Sequence, residues 1–107
     1  MIEKLKKLFG IKPAVDFGQL IASGAKIVDV RTQGEYAGGH VPGSVNIPLN
    51  LLAGSMGKLK KDKPIITCCA SGMRSRTARS ILQSNGFSQV YNGGSWHNLK
   101  KYQKWTP

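Results

Sequence analysis

The stretch from Ile65 to Arg76 has the sequence IITCCASGMRSR, and the rest of the chain is organised around it. A β-branched run is followed by small residues and then by Arg and Ser ahead of helix-forming sequence. This order is typical of a strand, a tight loop and the start of a helix. We therefore predict a strand over 65–68, a loop that opens at Cys69 and a helix over 76–85. The prediction brings a cysteine thiol to the amino end of a helix.

This placement favours a reactive cysteine. Backbone N–H groups in such a loop converge on one point, and the positive end of the following helix adds to their attraction for an anion. A thiolate is stabilised there, and the thiolate is the nucleophilic form of cysteine. Four residues separate Cys69 from Arg74, a loop suited to a compact sulfur group, whereas five separate Cys68 from Arg74, a loop of the size that cradles phosphate. Both registers are chemically sensible, and we predict that Cys69 is the nucleophile.

Several further motifs occur in a fixed order along the chain. Together with the cysteine loop they resemble a single-domain rhodanese, a sulfurtransferase, between about Val15 and Trp96. The matching motifs are DVR at 29–31, EY at 35–36, GHVPGS at 39–44, NIP at 46–48 and CASGMRS at 69–75.

The resemblance implies a role for each residue of the loop. Cys69 would take sulfur from a donor as a persulfide and pass it to an acceptor, and Arg74 would orient the loop and add positive charge. The substrate-binding residues would be Ala70, Ser71, Gly72, Met73 and Ser75. The backbone N–H groups of residues 70–75 would hold the anionic sulfur, and the hydroxyls of Ser71 and Ser75 would be further donors.

The loop departs from the family pattern at Cys68, Ala70 and Met73, where relatives often carry aromatic, polar or basic residues. The loop is consequently less charged than most. Polysulfide, thiol-bound sulfane sulfur and protein persulfide therefore join thiosulfate as candidate donors, with cyanide or a thiol as acceptor. No cofactor is implied, and the two cysteines and two histidines lack the spacing of a zinc site.

The fold expected from the pattern is an α/β domain. Strands predicted at 26–30, 45–47, 65–68 and 87–91 alternate with helical segments, which indicates a mainly parallel sheet. The resemblance implies a rhodanese-like three-layer domain, with helices on both faces of the sheet. We assign residues 14–107 to this domain and residues 1–13 to an amphipathic extension, and we predict a C-terminal helix over 96–104.

Composition limits the cellular setting. The chain has 107 residues, 16 basic and 5 acidic, with a net charge of +11. Its lysines cluster at 4–12, 58–63 and 100–104 with few aromatic residues between them, which favours solvated faces over a nucleic-acid site. The charge could still attract anionic sulfur donors.

No stretch approaches the roughly 20 apolar residues of a membrane span, and the N-terminus lacks the apolar core of a signal peptide. A cytoplasmic protein is expected.

Four polar or aromatic residues upstream of the loop are expected to support the structure. Asp29 and Arg31, at the end of the first strand, are predicted to form an ion pair that fixes the neighbouring loop. His40 is interpreted as a structural histidine and Tyr36 as part of the core.

Three alternative functions remain open. A phosphatase or arsenate reductase would use Cys68 in the wider loop, although Thr67 stands where such phosphatases usually have histidine. A sulfur carrier would hand sulfur to one protein partner, with the basic surface as its docking site. A redox sensor would rely on the Cys68–Cys69 pair.

Overall fold

The computed structural model describes residues 14–102. The predicted extension at 1–13 lies outside these residues. The predicted C-terminal helix over 96–104 is too long, because the helix ends at Lys100 with Lys101 as its C-cap. The strands are β1 (Lys26–Asp29), β2 (Val45–Asn46), β3 (Ile65–Cys69) and β4 (Val90–Ser95). The helices are α1 (Phe17–Ala22), α2 (Gln33–Ala37), α3 (Leu49–Leu52), α4 (Met73–Ser84) and α5 (Trp96–Lys100), and a 3-10 segment spans Ala53–Lys58.

The four strands form one sheet in the order β2-β1-β3-β4, and every neighbouring pair is parallel. All five residues of β3 are buried, as expected for a central parallel strand covered on both faces. The carboxyl ends of the strands meet at one edge, where ligand crevices form in open α/β sheets. Cys69 is the last residue of β3 and therefore lies at this edge.

A separate hydrophobic core covers each face of the sheet. One core packs α3 and α4 against the strands, through residues such as Leu52, Ala78 and Leu82. The other packs α1 and α5 against the opposite face, through residues such as Leu20 and Leu99. The predicted three-layer α/β fold with a parallel sheet is therefore confirmed. Within residues 14–102, no helix has the length and apolar character needed to span a membrane.

The predicted boundaries around the loop and in the last strand need correction. β3 extends to Cys69 rather than ending at Cys68, and α4 begins at Met73 rather than at Arg76. The last strand runs from Val90 to Ser95 instead of over 87–91. It continues through Gly93, where a turn was expected, because a glycine there allows β4 to approach the buried side chains beside it.

Substituting Gly93 by alanine is expected to destabilise the fold. A Cβ at this position would lie 2.8 Å from Ile66 Cγ2, 2.8 Å from the Thr67 carbonyl oxygen and 2.9 Å from Leu99 Cδ1. Overpacking of this kind costs about 1–3 kcal/mol, which denaturant unfolding would measure. Gly34→Ala in α2 is the matched control, since a Cβ there meets nothing within 4 Å. Equal stability of the two variants would contradict the packing described here.

Candidate active site

The Cys69 sulfur accepts two backbone hydrogen bonds from the loop that follows it. The N–H of Gly72 donates at 2.9 Å and the N–H of Ser75 donates at 3.4 Å. Gly72 has φ of 103°, in the left-handed region that favours glycine, and it stands at the N-cap of α4. This conformation turns the chain back over Cys69, so that donors from the loop and from the first turn of α4 meet at one sulfur atom.

The loop also shields the sulfur from solvent. Cys69 is fully buried, whereas Ala70, Ser71 and Met73 are exposed, Met73 with 78% of its surface. The Cys69 sulfur therefore lies beneath the protein surface and is not accessible to solvent. A sulfur donor therefore has no open path to this atom in the conformation described, a restriction that the sequence did not indicate.

The two cysteines lie on opposite faces of the sheet, because successive side chains of a strand alternate. Cys69 belongs to the core that contains α4, and Cys68 to the core that contains Leu99. Burial, reinforced by the nearby charge of Asp29, raises the pKa of Cys68 to about 12. Cys68 is therefore a neutral packing residue, and neither the wider loop register nor a Cys68–Cys69 redox pair matches this arrangement.

Ser75 contributes its backbone N–H to the site and not its hydroxyl. The hydroxyl is buried, donates to Asn92 Oδ1 at 2.6 Å and lies 2.7 Å from the hydroxyl of Thr67. The expectation that the Ser75 hydroxyl would contact the sulfur is therefore wrong, because two buried polar partners already engage it. The same Asn92 oxygen accepts from the N–H of Gly94 at 2.9 Å. Asn92, which sequence reasoning missed, thus joins the first turn of α4 to β4.

Arg74 is held by a carboxylate from a different part of the chain. Its Nη1 and Nη2 donate to the two carboxylate oxygens of Glu35 at 2.7 and 3.0 Å. Glu35 is itself fixed by a capping box with Thr32 at the start of α2. The hydrogen bond to Glu35 raises the pKa of Arg74 above its ordinary value. Arg74 therefore clamps the loop to α2.

Asp29 and Arg31 form the predicted structural pair. Arg31 Nη2 donates to Asp29 Oδ2 at 2.7 Å and to the Gly39 carbonyl at 2.7 Å, and both residues are buried. The Arg31 guanidinium also lies over the Trp96 ring. His40 Nδ1 lies 2.8 Å from the Tyr36 carbonyl oxygen, and the His40 ring stacks on that of Tyr36. Tyr36 is half-buried and belongs to neither hydrophobic core, so the prediction that it is a core residue is wrong. These contacts support the turn that follows α2, and none of them involves the Cys69 sulfur.

A Glu35→Gln variant tests the clamp through its pH dependence. Arg74 and Thr32 lower the pKa of Glu35 from 4.5 to about 2. A carboxyl with a lowered folded-state pKa stabilises the fold above its unfolded pKa and loses that effect as pH falls towards the folded value. We expect wild type to be more stable than Glu35→Gln at neutral pH, with a difference that is constant above about pH 6 and disappears towards pH 2.

Denaturant unfolding across this pH range provides the measurement. Glutamine can still serve in the capping box, so the substitution removes the ion pair while the helix start is kept. A stability difference that persisted unchanged at pH 2 would contradict the assignment of the ion pair.

Comparison with known proteins identifies the family to which the chain belongs. Residues 13–101 match the rhodanese-like domain. The chain belongs to the rhodanese-like domain family. The thiosulfate sulfurtransferase GlpE of Shewanella oneidensis is 34% identical over 80 residues, which cover 71% of this chain and 79% of that protein. YqhL of Bacillus subtilis is 38% identical over 68 residues, covering 64% of this chain and 54% of YqhL, so the chain spans only about half of that relative.

A solved rhodanese shares the same fold. The rhodanese of E. coli, solved with anions, superposes with a TM-score of 0.66 and is 28% identical, over 70% of this chain and 91% of that one. The family recognised from the sequence motifs is therefore confirmed, and relatives within it are named as sulfurtransferases.

Proposed function

We propose that this protein is a sulfurtransferase that carries sulfane sulfur on Cys69. The observation that carries the proposal is the convergence of the Gly72 and Ser75 N–H groups on the Cys69 sulfur, in a loop clamped by the Arg74–Glu35 ion pair. Fixed N–H donors stabilise negative charge with little reorganisation. The same donors would stabilise the Cys69 thiolate before the first sulfur transfer and again when it is released in the second.

The reaction consists of two sulfur transfers. The Cys69 thiolate attacks the outer sulfur of the donor, an S–S bond forms, and the rest of the donor leaves with the electron pair of the broken bond. With thiosulfate the leaving group is sulfite. The acceptor, cyanide or a thiolate, then attacks the outer sulfur of the persulfide, and Cys69 leaves again as a thiolate. Two easier steps thus replace one difficult step, as in other covalent mechanisms.

The loop favours donors of low charge. Ala70, Ser71 and Met73 bring no charge to its exposed side, and the guanidinium of Arg74 is already paired with Glu35. The loop therefore offers the second negative charge of thiosulfate no unpaired cation from its own residues. We expect a low-molecular-weight persulfide, which carries a single negative charge on its sulfane sulfur, to react with a higher kcat/KM than thiosulfate. A reducing compartment such as the cytoplasm suits a nucleophilic thiol.

Steady-state kinetics with each donor and cyanide test the proposal. A double-displacement mechanism predicts parallel lines in double-reciprocal plots, because the donor molecule, having lost its sulfur, leaves before the acceptor binds. The expected ranking is the low-molecular-weight persulfide above thiosulfate. Converging lines for every donor, or turnover that survives loss of Cys69, would contradict the proposed route.

A sulfur carrier for a protein partner is the second candidate, and the exposed Met73 beside the loop favours it. A flexible thioether at the rim of a site suits contact with another protein surface. A carrier would load stoichiometrically from polysulfide and discharge slowly to cyanide and to small thiols. Rapid discharge to small acceptors would favour the enzyme instead.

A further inference from the structure

A cleft of about 350 Å³ lies at the end of the sheet opposite the cysteine loop. Lys26 and Ile65, the first residues of β1 and β3, are register partners at its base. The cleft is lined by Gly24, Lys26, Lys58, Leu59, Lys60, Lys63 and Ile65. Cys69 is four residues further along β3, about 13 Å away at the rise of a strand. A ligand in this cleft would therefore occupy a place separate from the sulfur site.

Four lysines face this one cleft, and residues 14–102 offer little charge to neutralise them. That part of the chain contains four carboxylates. Asp29 and Glu35 are paired with arginines, and Asp16 caps α1. The fourth, Asp62, forms no ion pair with a residue of the same range. A cleft lined by one sign of charge concentrates oppositely charged ligands.

The shape of the cleft favours a small ligand. Its volume lies at the lower end of the range for small-molecule sites. Ile65 is buried and Leu59 half-buried, so they provide an apolar base, while Gly24 adds no side chain. Lysine ammonium groups bind phosphate as compact charges with three rotatable donors. Several lysines around one small volume match several linked phosphates better than a single anion.

We propose that the cleft between the starts of β1 and β3 binds a small polyphosphate. The recognised chemistry is a chain of phosphate groups, which inorganic tripolyphosphate or the tail of a nucleoside triphosphate would supply. The lysine cluster at 58–63, expected to be a solvated face, thus provides three of the four charges of a binding site. The proposal does not depend on sulfur transfer.

Calorimetric titration of the 107-residue protein with tripolyphosphate and, separately, with ATP at about 0.15 M salt tests the proposal. The cleft variant is Lys60→Gln with Lys63→Gln. The matched control is Lys61→Gln with Lys101→Gln, which removes the same charge from lysines over the rings of Phe87 and Tyr102, outside the cleft. All four lysines are exposed, so both double variants should fold.

We expect tripolyphosphate to bind wild type and the control within about threefold of each other, and the cleft variant about tenfold or more weakly. If ATP binds as tightly as tripolyphosphate, the phosphate chain alone is recognised. If ATP binds more tightly, the nucleoside makes further contacts. Equal weakening in the two double variants would overturn the proposal, as would failure of both ligands to bind at millimolar concentration. A single-stranded RNA that bound more tightly than either ligand, with equal loss in both variants, would instead show a diffuse nucleic-acid surface.

Discussion

Replacing Cys69 by serine will lower kcat/KM for sulfur transfer about a thousandfold or more, to the background of the uncatalysed reaction. Serine keeps the size of the side chain and can still accept the Gly72 N–H, but its hydroxyl is a poor nucleophile and leaving group for sulfane sulfur. The assay is cyanide-dependent thiocyanate formation from polysulfide. Circular dichroism and denaturant unfolding would confirm that the variant is folded.

Cys68→Ala is the matched control. The Cys68 sulfur points into the core that contains Leu99 and away from the loop. The pKa of the Cys68 thiol is raised to about 12, which keeps the thiol neutral. We expect sulfur transfer within about threefold of wild type, with a stability loss of about 1 kcal/mol for the small cavity. Loss of transfer in Cys68→Ala with transfer retained in Cys69→Ser would place the nucleophile at Cys68 and contradict the site described above.

The second large effect is expected from Asp29→Asn, which removes the negative half of a buried ion pair. Asp29 is fully buried and accepts from the Arg31 backbone N–H and from two guanidinium nitrogens, at distances of 2.7–3.0 Å. Asparagine preserves the shape but leaves the charge of Arg31 buried without a counterion. Such a loss costs about 3–5 kcal/mol. The midpoint of denaturant unfolding should fall accordingly, with little change in its slope.

Asp16→Asn provides the control for this measurement. Asp16 caps α1 by accepting the Gln19 N–H, and asparagine caps a helix about as well as aspartate. We expect its free energy of unfolding to stay within about 0.5 kcal/mol of wild type. A similarly small effect for Asp29→Asn would contradict the view that the buried pair fixes the end of β1.

Local sequence patterns predicted the sheet and the position of the cysteine well. The β-branched runs of β1 and β3 are nearly continuous, which is typical of strands buried on both faces. The start of α4 was predicted three residues late, because Gly72 provides the cap with its backbone and no side-chain signal marks the position. The last strand was misplaced because glycine usually weakens a strand, whereas Gly93 is required where β4 meets Ile66 and Leu99.

The contacts that hold the loop could not be predicted from local sequence. Glu35 and Arg74 are 39 residues apart, and only the folded sheet brings α2 beside the loop. The Thr32–Glu35 capping box was a visible signal for the start of a helix, but it says nothing of the second partner of Glu35. Asn92 is likewise 17 residues from Ser75. The sequence therefore predicts the place of Cys69 at the end of a strand better than the groups that hold the loop around it.

Intact-protein mass spectrometry after incubation with polysulfide tests the central claim most directly. We predict a gain of one sulfur atom, about 32 Da, in wild type and in Cys68→Ala, no gain in Cys69→Ser, and loss of the added mass when cyanide is supplied. No gain in wild type, or a gain that Cys69→Ser retains and Cys68→Ala loses, would contradict a Cys69 persulfide.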